Sequence, residues 1–424
     1  MKDLARTKPV AIVLGGITAH IPLIQKLKAR GYFTILVDYY DNPPAKKHAD
    51  QHQVVSTLDE SKLMALTKNV HAELIITCCL DQPIPVACRV AKKLNLPFPY
   101  SETTALQVTD KSVMKKVFLK NGILTPGFSI IEHSDSVTVQ NNLLRFKLPC
   151  IVKPVDSTGS QGVYKITSRT QIEHYFGLSR AVSRKKMILV EDYVDGIELG
   201  IDCFISNYKP SVLMIRRKFK TSTLHQQLTV GSVYPFELSS ENEHIVYHTI
   251  DRVAKVFDLK NTPLLVQGIL ANGSFHVLEV AARVGGGMNY ENVKTSCGFD
   301  LIEATINSYL GVTNDTSLNV QSKVRAVVHL YLNGGVFDRM VGIESMMDDG
   351  TIDSIMVLKE KGTLFREEMS SKSKIAKLLL SADSKTLMVE KIASLANRID
   401  VLSSTNRSML RKELLLNLTN NNTK

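Results

Sequence analysis

Lys153 and Pro154 end an apolar run and lead at once into Asp156-Ser157-Thr158-Gly159-Ser160-Gln161-Gly162. Small residues let a backbone fold its N–H groups around phosphate oxygens, and a neighbouring lysine supplies compensating charge. Taken alone, such a stretch is a common Gly/Ser turn between strands. It gains weight from partners further along the chain. Glu191 closes the next strand-like run, and Gly196 and Glu198 come soon after. Gln267 ends a further run, twelve residues before Glu279. Two hard oxygen donors on neighbouring strands can hold Mg²⁺ against the oxygens of a triphosphate. Arg283 then precedes Gly285-Gly286-Gly287, where bare backbone permits close approach.

Each of these residues also has a plainer reading. Lys111 sits on a basic helix face and alone would read as solvated; with Asp110 before it and Lys153 beyond, a phosphate role is preferred. Glu191 and Glu198 could be surface carboxylates, but Gly196 between them suggests a hinge. Arg283 could pair structurally with Glu279 or Glu291; the glycines behind it favour a place in an active site. The run Arg216-Arg217-Lys218-Phe219-Lys220 is either a solvated strand end or a wall for an anionic substrate, and the two readings stand level. His225 reads as a polar loop residue, and Cys78-Cys79 as core. Gly15-Gly16 with Asp38 lacks the G-x-G-x-x-G spacing of a dinucleotide site, since Ile17 and His20 occupy the glycine positions. A generic strand–Gly–helix turn is preferred there. No P-loop signature occurs.

These side chains need a scaffold, and hydrophobic periodicity outlines it. Apolar runs at 10–14, 34–37 and 74–77 alternate with helical patterns at 21–30 and 85–94, which predicts a parallel α/β unit ending near Pro97-Phe98-Pro99. A basic helix is predicted over 111–120. Strand-like runs come after it at 149–154, 187–190, 197–206, 211–215, 263–270 and 275–280, interrupted by a helix at 243–257. A last unit has strands at 324–332 and 352–359, a helix at 386–398 and a polar tail over 417–424 that should fray.

Composition bounds the rest. The 424 residues are 44% hydrophobic and 22% charged, a globular mix that cannot remain disordered. At roughly 100–200 residues per domain the length predicts two to four domains or subdomains. No apolar run approaches the ~18 residues of a membrane helix, and Met1 to Lys8 lacks the pattern of a signal peptide. The six cysteines form no CxxC pair, so they read as reduced thiols of a cytoplasmic protein. The net charge of +11 raises nucleic acid as a partner, yet aromatics are only 6% and no recognition module appears, so no nucleic acid is expected.

In order and spacing these elements resemble the ATP-grasp superfamily over essentially the whole chain. The resemblance is carried by Thr109-Asp110-Lys111 with Met114-Lys115, by Gly122-Ile123-Leu124-Thr125-Pro126, and by Lys153-Pro154 with the glycine loop. It continues through Glu191, Gly196 and Glu198, through Leu278-Glu279 with Arg283, and through Gly298-Phe299-Asp300-Leu301-Ile302-Glu303-Ala304. Within the superfamily the chain is similar to carboxylate–amine ligases, such as bacterial L-amino-acid ligases, and to carbamoyl-phosphate-synthase-like proteins. The resemblance implies an α/β (α+β) architecture. Residues 1–103 would be a parallel α/β pre-ATP-grasp domain, 104–313 a two-lobed ATP-grasp domain with a lid over about 124–190, and 320–424 a small C-terminal α+β domain.

It also implies roles. Lys111 and Lys153 would contact ATP phosphates, with Ser157, Thr158, Gly159, Ser160 and Gly162 as a mobile cover. Glu191 and the Val194 backbone would meet adenine, and Glu198 the ribose. Glu279 and Gln267 would hold Mg²⁺, with Mn²⁺ as a substitute, and Arg283 would stabilise the transition state together with Lys153. One position departs from the family pattern: Ala281 stands where an asparagine ligand is usual, so a second metal loses a donor. The implied reaction joins a small-molecule carboxylate to an amine through an acyl phosphate, releasing ADP and phosphate. Amino acids or an amino-sugar conjugate are the implied substrates, and a homodimer the implied assembly. An ATP-grasp carboxylase, a nucleotide-pathway ligase and a non-catalytic ATP-binding protein are the competing readings.

Overall fold

The computed structural model describes residues 8–132, 146–221, 225–367 and 369–420. The start at 1–7, part of the expected lid (133–145) and the end of the tail (421–424) lie outside the described residues. No helix among the described residues is long and apolar enough to cross a membrane.

The first unit is a parallel sheet of β1 (Val10–Leu14), β2 (Phe33–Asp38), β3 (Gln51–Val54) and β4 (Leu74–Ile76) in the order β3-β2-β1-β4. Ile12 pairs with both Ile35 and Ile75. Helices α1 (His20–Ala29), α2 (Glu60–Asn69) and α3 (Ile84–Lys93) cover its faces, which is why its inner strands are mostly apolar. Gly15-Gly16 makes the β1–α1 turn. Asp38 is spent on that turn: Gly16 N donates to its Oδ2 at 2.7 Å and Tyr40 N to its Oδ1 at 2.9 Å.

Helices α4 (Glu102–Gln107) and α5 (Lys111–Lys120) lead out of this unit. Asp110 caps α5 by accepting from Ser112 N and Val113 N, which fixes Lys111 as its first residue. A small antiparallel sheet comes next, built of β5 (Phe128–Ile131), β6 (Cys150–Pro154), β7 (Tyr164–Ile166) and β8 (Ile188–Asp192) in the order β5-β8-β6-β7. Its apolar face packs on α6 (Ile172–Val182) through Val152, Ile166, Phe176 and Val190.

The spine of the molecule is an eight-stranded antiparallel sheet. Its strands are β9 (Ile197–Ser206), β10 (Lys209–Lys220), β11 (Thr229–Tyr234), β12 (Asn261–Ala271), β13 (Ser274–Ala281) and β14 (Val324–Tyr331). It is completed from the C-terminal region, where the elements are β15 (Gly335–Val341), β16 (Ser354–Val357), β17 (Leu364–Phe365), β18 (Lys374–Ala382) and β19 (Asp400–Ser403). The order β13-β12-β9-β10-β11-β14-β18-β16 runs unbroken across residue 320, and two hydrophobic clusters likewise draw residues from both sides of it. Strands β17, β15 and β19 form a separate three-stranded sheet.

Helix α7 (Ser240–Val256) and α5 pack on one end of the spine, with Phe118 against Phe257 at 5.7 Å between ring centroids. Helices α8 (Asn289–Cys297) and α9 (Leu301–Tyr309) fill the space between the spine and the first unit and share one core with α1. The Gly298–Ala304 segment is helix punctuation: Gly298 ends α8 at φ +76° and Asp300 caps α9. Lys26 of α1 reaches Asp300 at 3.0 Å and Glu303 at 3.1 Å, tying the two units together. Helices α10 (Ile343–Asp348), α11 (Lys385–Arg398) and α12 (Lys412–Asn420) complete the C-terminal core. Residues 417–420, expected to fray, belong to α12, and Leu418 is buried in that core.

Gly342 begins α10 at φ +80°, and a Cβ there would overlap the Arg398 carbonyl oxygen. Gly342→Ala should therefore cost about 1–3 kcal/mol of stability. The check is a urea unfolding curve, in which the midpoint falls while the slope stays the same.

Candidate active site

A cavity of about 620 Å³ lies between the small sheet and the spine, with the first unit closing one side. That is the size range of small-molecule sites. Lys111, Lys153, Ser157, Thr158, Gly159, Ser160, Glu191, Val194, Glu198, Gln267, Glu279 and Arg283 all line it. Gly162 does not: a Cβ there would fall 2.9 Å from the Pro154 ring, so this glycine serves the packing of the loop base. Gly196 is likewise a packing residue, because a side chain would meet the Leu270 carbonyl of β12. This close approach, where a hinge was expected, explains the glycine.

The loop after β6 enters the left-handed region at Gly159, Ser160 and Gly162. Ser157 Oγ donates to Gln161 O at 2.8 Å, and Lys111 Nζ donates to Ser157 O at 2.9 Å. The loop is thus pinned to the start of α5, with residues 157–160 facing the cavity.

Charge on the cavity wall is arranged in chains. In the first, the Glu191 carboxylate is buried between two ammonium groups, Lys115 at 2.5 Å and Lys153. Burial opposes the Glu191 charge, but the two lysines outweigh it and hold the carboxyl below its ordinary range. Burial, reinforced by Lys153, brings Lys115 down to about 8. Lys115 also contacts Thr125 Oγ1. Glu191 therefore organises two lysines, and its side chain is taken up by them.

In the second chain, Lys111 Nζ lies 3.1 Å from Glu279 Oε2, and Gln267 Nε2 donates to Glu279 Oε1 at 2.5 Å. Lys218 Nζ then donates to Gln267 Oε1 and Glu198 Oε1, both at 2.5 Å, and Lys220 reaches the same Glu198 oxygen at 3.3 Å. Gln267 and Glu279 face each other across the β12–β13 ladder. Burial opposes ionisation of Glu279, but Lys111 and Lys153 hold its carboxyl far below the ordinary value. Glu198 is held down in the same way by Lys218 and Lys220 against burial.

Glu279 and Gln267 thus present one firmly ionised carboxylate and one amide oxygen. Mg²⁺ is commonly held by one or two carboxylates plus substrate phosphates and water, and this donor set fits one such ion. Ala281 contributes no oxygen, and among the described residues no group of three or more His, Cys, Asp or Glu side chains could hold a metal alone.

Arg283 is paired with neither Glu279 nor Glu291. It makes a bidentate pair with Asp81 of the first unit, Nε to Oδ1 at 2.8 Å and Nη2 to Oδ2 at 2.7 Å. Burial works against its charge and Asp81 more than offsets it. Asp81 escaped sequence reading. Its only signal is an acid shortly after the carboxyl end of a parallel strand, where α/β folds place ligands. Arg216 pairs with Asp202 at 3.1 Å over Gly200, where any Cβ would clash with the guanidinium. The run 216–220 is thus a cavity wall through Arg216, Lys218 and Lys220. His225 lies outside the cavity lining; its Nδ1 is 3.2 Å from Lys165 O.

Also unforeseen are His329, Tyr331, Lys374 and Lys377, which line the far end. His329 Nδ1 donates to Thr229 O at 2.8 Å, and burial with the two lysines keeps the ring neutral.

Glu191→Gln should cost about 3–5 kcal/mol at neutral pH, because it strands two lysines. A lowered folded pKa means the stabilisation is complete above the ordinary glutamate value and fades as pH falls through the folded value. The gap between wild type and variant should narrow accordingly in acid, as read by urea unfolding over a pH series.

The ATP-grasp domain family matches residues 146–291. A D-alanine–D-alanine ligase of Pelagibacter ubique is 25% identical over 201 residues, which is 45% of this chain and 63% of that protein. The chain therefore covers less than two thirds of that curated relative. An L-amino acid ligase from Bacillus licheniformis superposes with a TM-score of 0.78 at 18% identity, over 93% of this chain and 99% of that one. A phosphoribosylglycinamide synthetase from Anaerococcus prevotii gives 0.71 at 19%, over 93% and 100%. The chain therefore contains an ATP-grasp domain at residues 146–291, and over 93% of its length it shares the fold of that L-amino acid ligase.

Proposed function

We propose that this protein is an ADP-forming ligase that joins a small-molecule carboxylate to an amine. The observation that carries the reading is the shared cavity onto which Lys111, Lys153, the 157–160 loop, Glu279 and Arg283 converge from separate parts of the chain. The names of the similar proteins, amino-acid ligases among them, support the same reading.

A carboxylate cannot expel oxide, so its oxygen attacks the γ-phosphorus of ATP and ADP leaves. The resulting acyl phosphate is attacked by the amine nitrogen; phosphate departs and the nitrogen loses its proton. Such chemistry is mostly positioning and electrostatic stabilisation. Lys111 and Lys153 bind the phosphates, and the 157–160 backbone covers them. Glu279 and Gln267 would hold Mg²⁺, which when bound would supply charge neutralisation for the triphosphate. Arg283, held rigid by Asp81, faces the negative charge that builds on the transferring group. Glu191 acts from behind by fixing Lys115 and Lys153. The connector through Val194 and the carboxylate of Glu198 take the nucleoside; Lys218 and Lys220 both meet Glu198 at Oε1. Amino acids or an amino-sugar conjugate as substrates, a homodimeric assembly and a cytoplasmic setting belong to this reading. All six cysteines are buried and free, in keeping with such a setting.

Ala281 favours a second reading, nucleotide binding without turnover. An ADP-release screen of amino-acid pairs and amino-sugar acceptors, with mass detection of the product, separates the two. Amide product with stoichiometric ADP is expected. Tight ATP binding without turnover across the screen would establish the second reading, and bicarbonate-dependent ADP release a carboxylase. Glu279→Ala and Arg283→Ala should each lower turnover by about 10²–10³ while circular dichroism stays native. Near-normal ADP release by either variant would sink the assignment.

A further inference from the structure

The far end of the cavity carries positive charge that nothing in the described chain balances. Lys374 and Lys377 lie on β18, and three-residue spacing in a regular strand would send them to opposite faces. A bulge prevents this. Tyr331 pairs with Lys374, Leu330 with Ala376 and His329 with Lys377, so one extra residue is absorbed and both lysines share the face of His329 and Tyr331. Both line the cavity. Among the described residues Lys374 Nζ meets only the Tyr331 ring, 5.2 Å from its centroid. Lys377 Nζ rests against Gly287, where a side chain would displace it.

Arg216, Lys218 and Lys220 approach the same space from β10. Their acids are already shared: Glu198 serves Lys218 and Lys220, and Asp202 serves Arg216. Those three cations with Lys374 and Lys377 face two carboxylates. Burial, with Lys377, Lys220 and Lys218 nearby, depresses Lys374 well below an ordinary lysine. Burial also brings Lys377 down to about 8; the Cys79 thiol favours its charge and Arg216 opposes it. Enclosing unpaired ammonium groups is costly and would be offset by an anion bound between them. The Lys111–Glu279–Gln267–Lys218 line sets this end apart from the 157–160 loop.

We propose that Lys374 and Lys377, with Lys220, bind a doubly charged oxyanion on one substrate, a phosphate ester or a dicarboxylate. The proposal rests on the ligase reading for what is done to that substrate, but the binding site can be tested without turnover. The full chain is saturated with Mg²⁺ and a non-hydrolysable ATP analogue, so that the triphosphate positions are filled. Glycerol phosphate, glutarate and acetate are then titrated by calorimetry.

At least one of the two dianions should bind, and which one does identifies the source of the charge. Acetate should bind about tenfold more weakly or not at all. The double variant K374M/K377M should lose dianion affinity about tenfold or more. Its nucleotide affinity should stay within about twofold, and its unliganded melting temperature should match or exceed wild type, since burial of unpaired charge is relieved. Lys374→Met alone is read in the same way. Acetate binding as tightly as the dianions, no dianion binding, or unchanged affinity in the variants would overturn the proposal. If wild type fails to bind nucleotide, the ATP reading falls instead, and the dianion titration without nucleotide still decides this site.

Discussion

An ammonium group shut away from water must find an anion, and the architecture of this cavity follows from that requirement. Glu191 is the pivot. It lies on β8 of the small sheet and takes Lys153 from the neighbouring strand and Lys115 from helix α5, so one carboxylate joins two lobes. Lys111, one helical turn before Lys115, extends the connection to the loop through Ser157 O and to the spine through Glu279. Removing any one member leaves a neighbour uncompensated in a medium of low dielectric, where the penalty is large. The same need explains why Arg283 is tied to Asp81. On the proposed ligase reading this guanidinium has to be rigid and stay charged before substrate arrives, and a bidentate carboxylate from another unit supplies both.

The two ends of the cavity differ in how far this compensation goes. Around Glu191 and Glu279 every lysine has a carboxylate. Around β18 it stops, and Lys374 and Lys377 face the space with no acid in reach among the described residues. A fold under selection for stability alone would place neutral side chains there, so the excess marks where a charge from outside is received. The net +11 of the chain gains a partial location in this way.

Elements whose burial has one strong period were legible. β1, β2, β4 and β9 are apolar runs, and α5, α7 and α11 show a helical stripe, so their positions agreed within a few residues. Elements stabilised by neighbours were not. β3 is a polar edge strand with no apolar face to betray it. Helix α8 is mostly polar and is held by the shared core around Val293. The end of helix α12, from residue 417, reads as a polar tail because its one buried leucine, Leu418, sits among asparagine and threonine.

The candidate site divides in the same way. The loop at 156–162, Lys153, Glu191, Glu279 and Arg283 announce themselves because their chemistry depends on neighbours in the chain: a glycine beside a serine, a carboxylate at a strand end, an arginine before three glycines. Sequence by itself singled these out, and with them the ATP-grasp domain that matches residues 146–291. It could not determine pairings. Asp81 with Arg283, Lys115 with Glu191, and the approach of Lys374 to Lys220 join residues 76 to 202 positions apart, and the shared facing of Lys374 and Lys377 depends on a one-residue bulge. Coulombic and desolvation energies depend on separation in space, and only the folded sheet sets that separation.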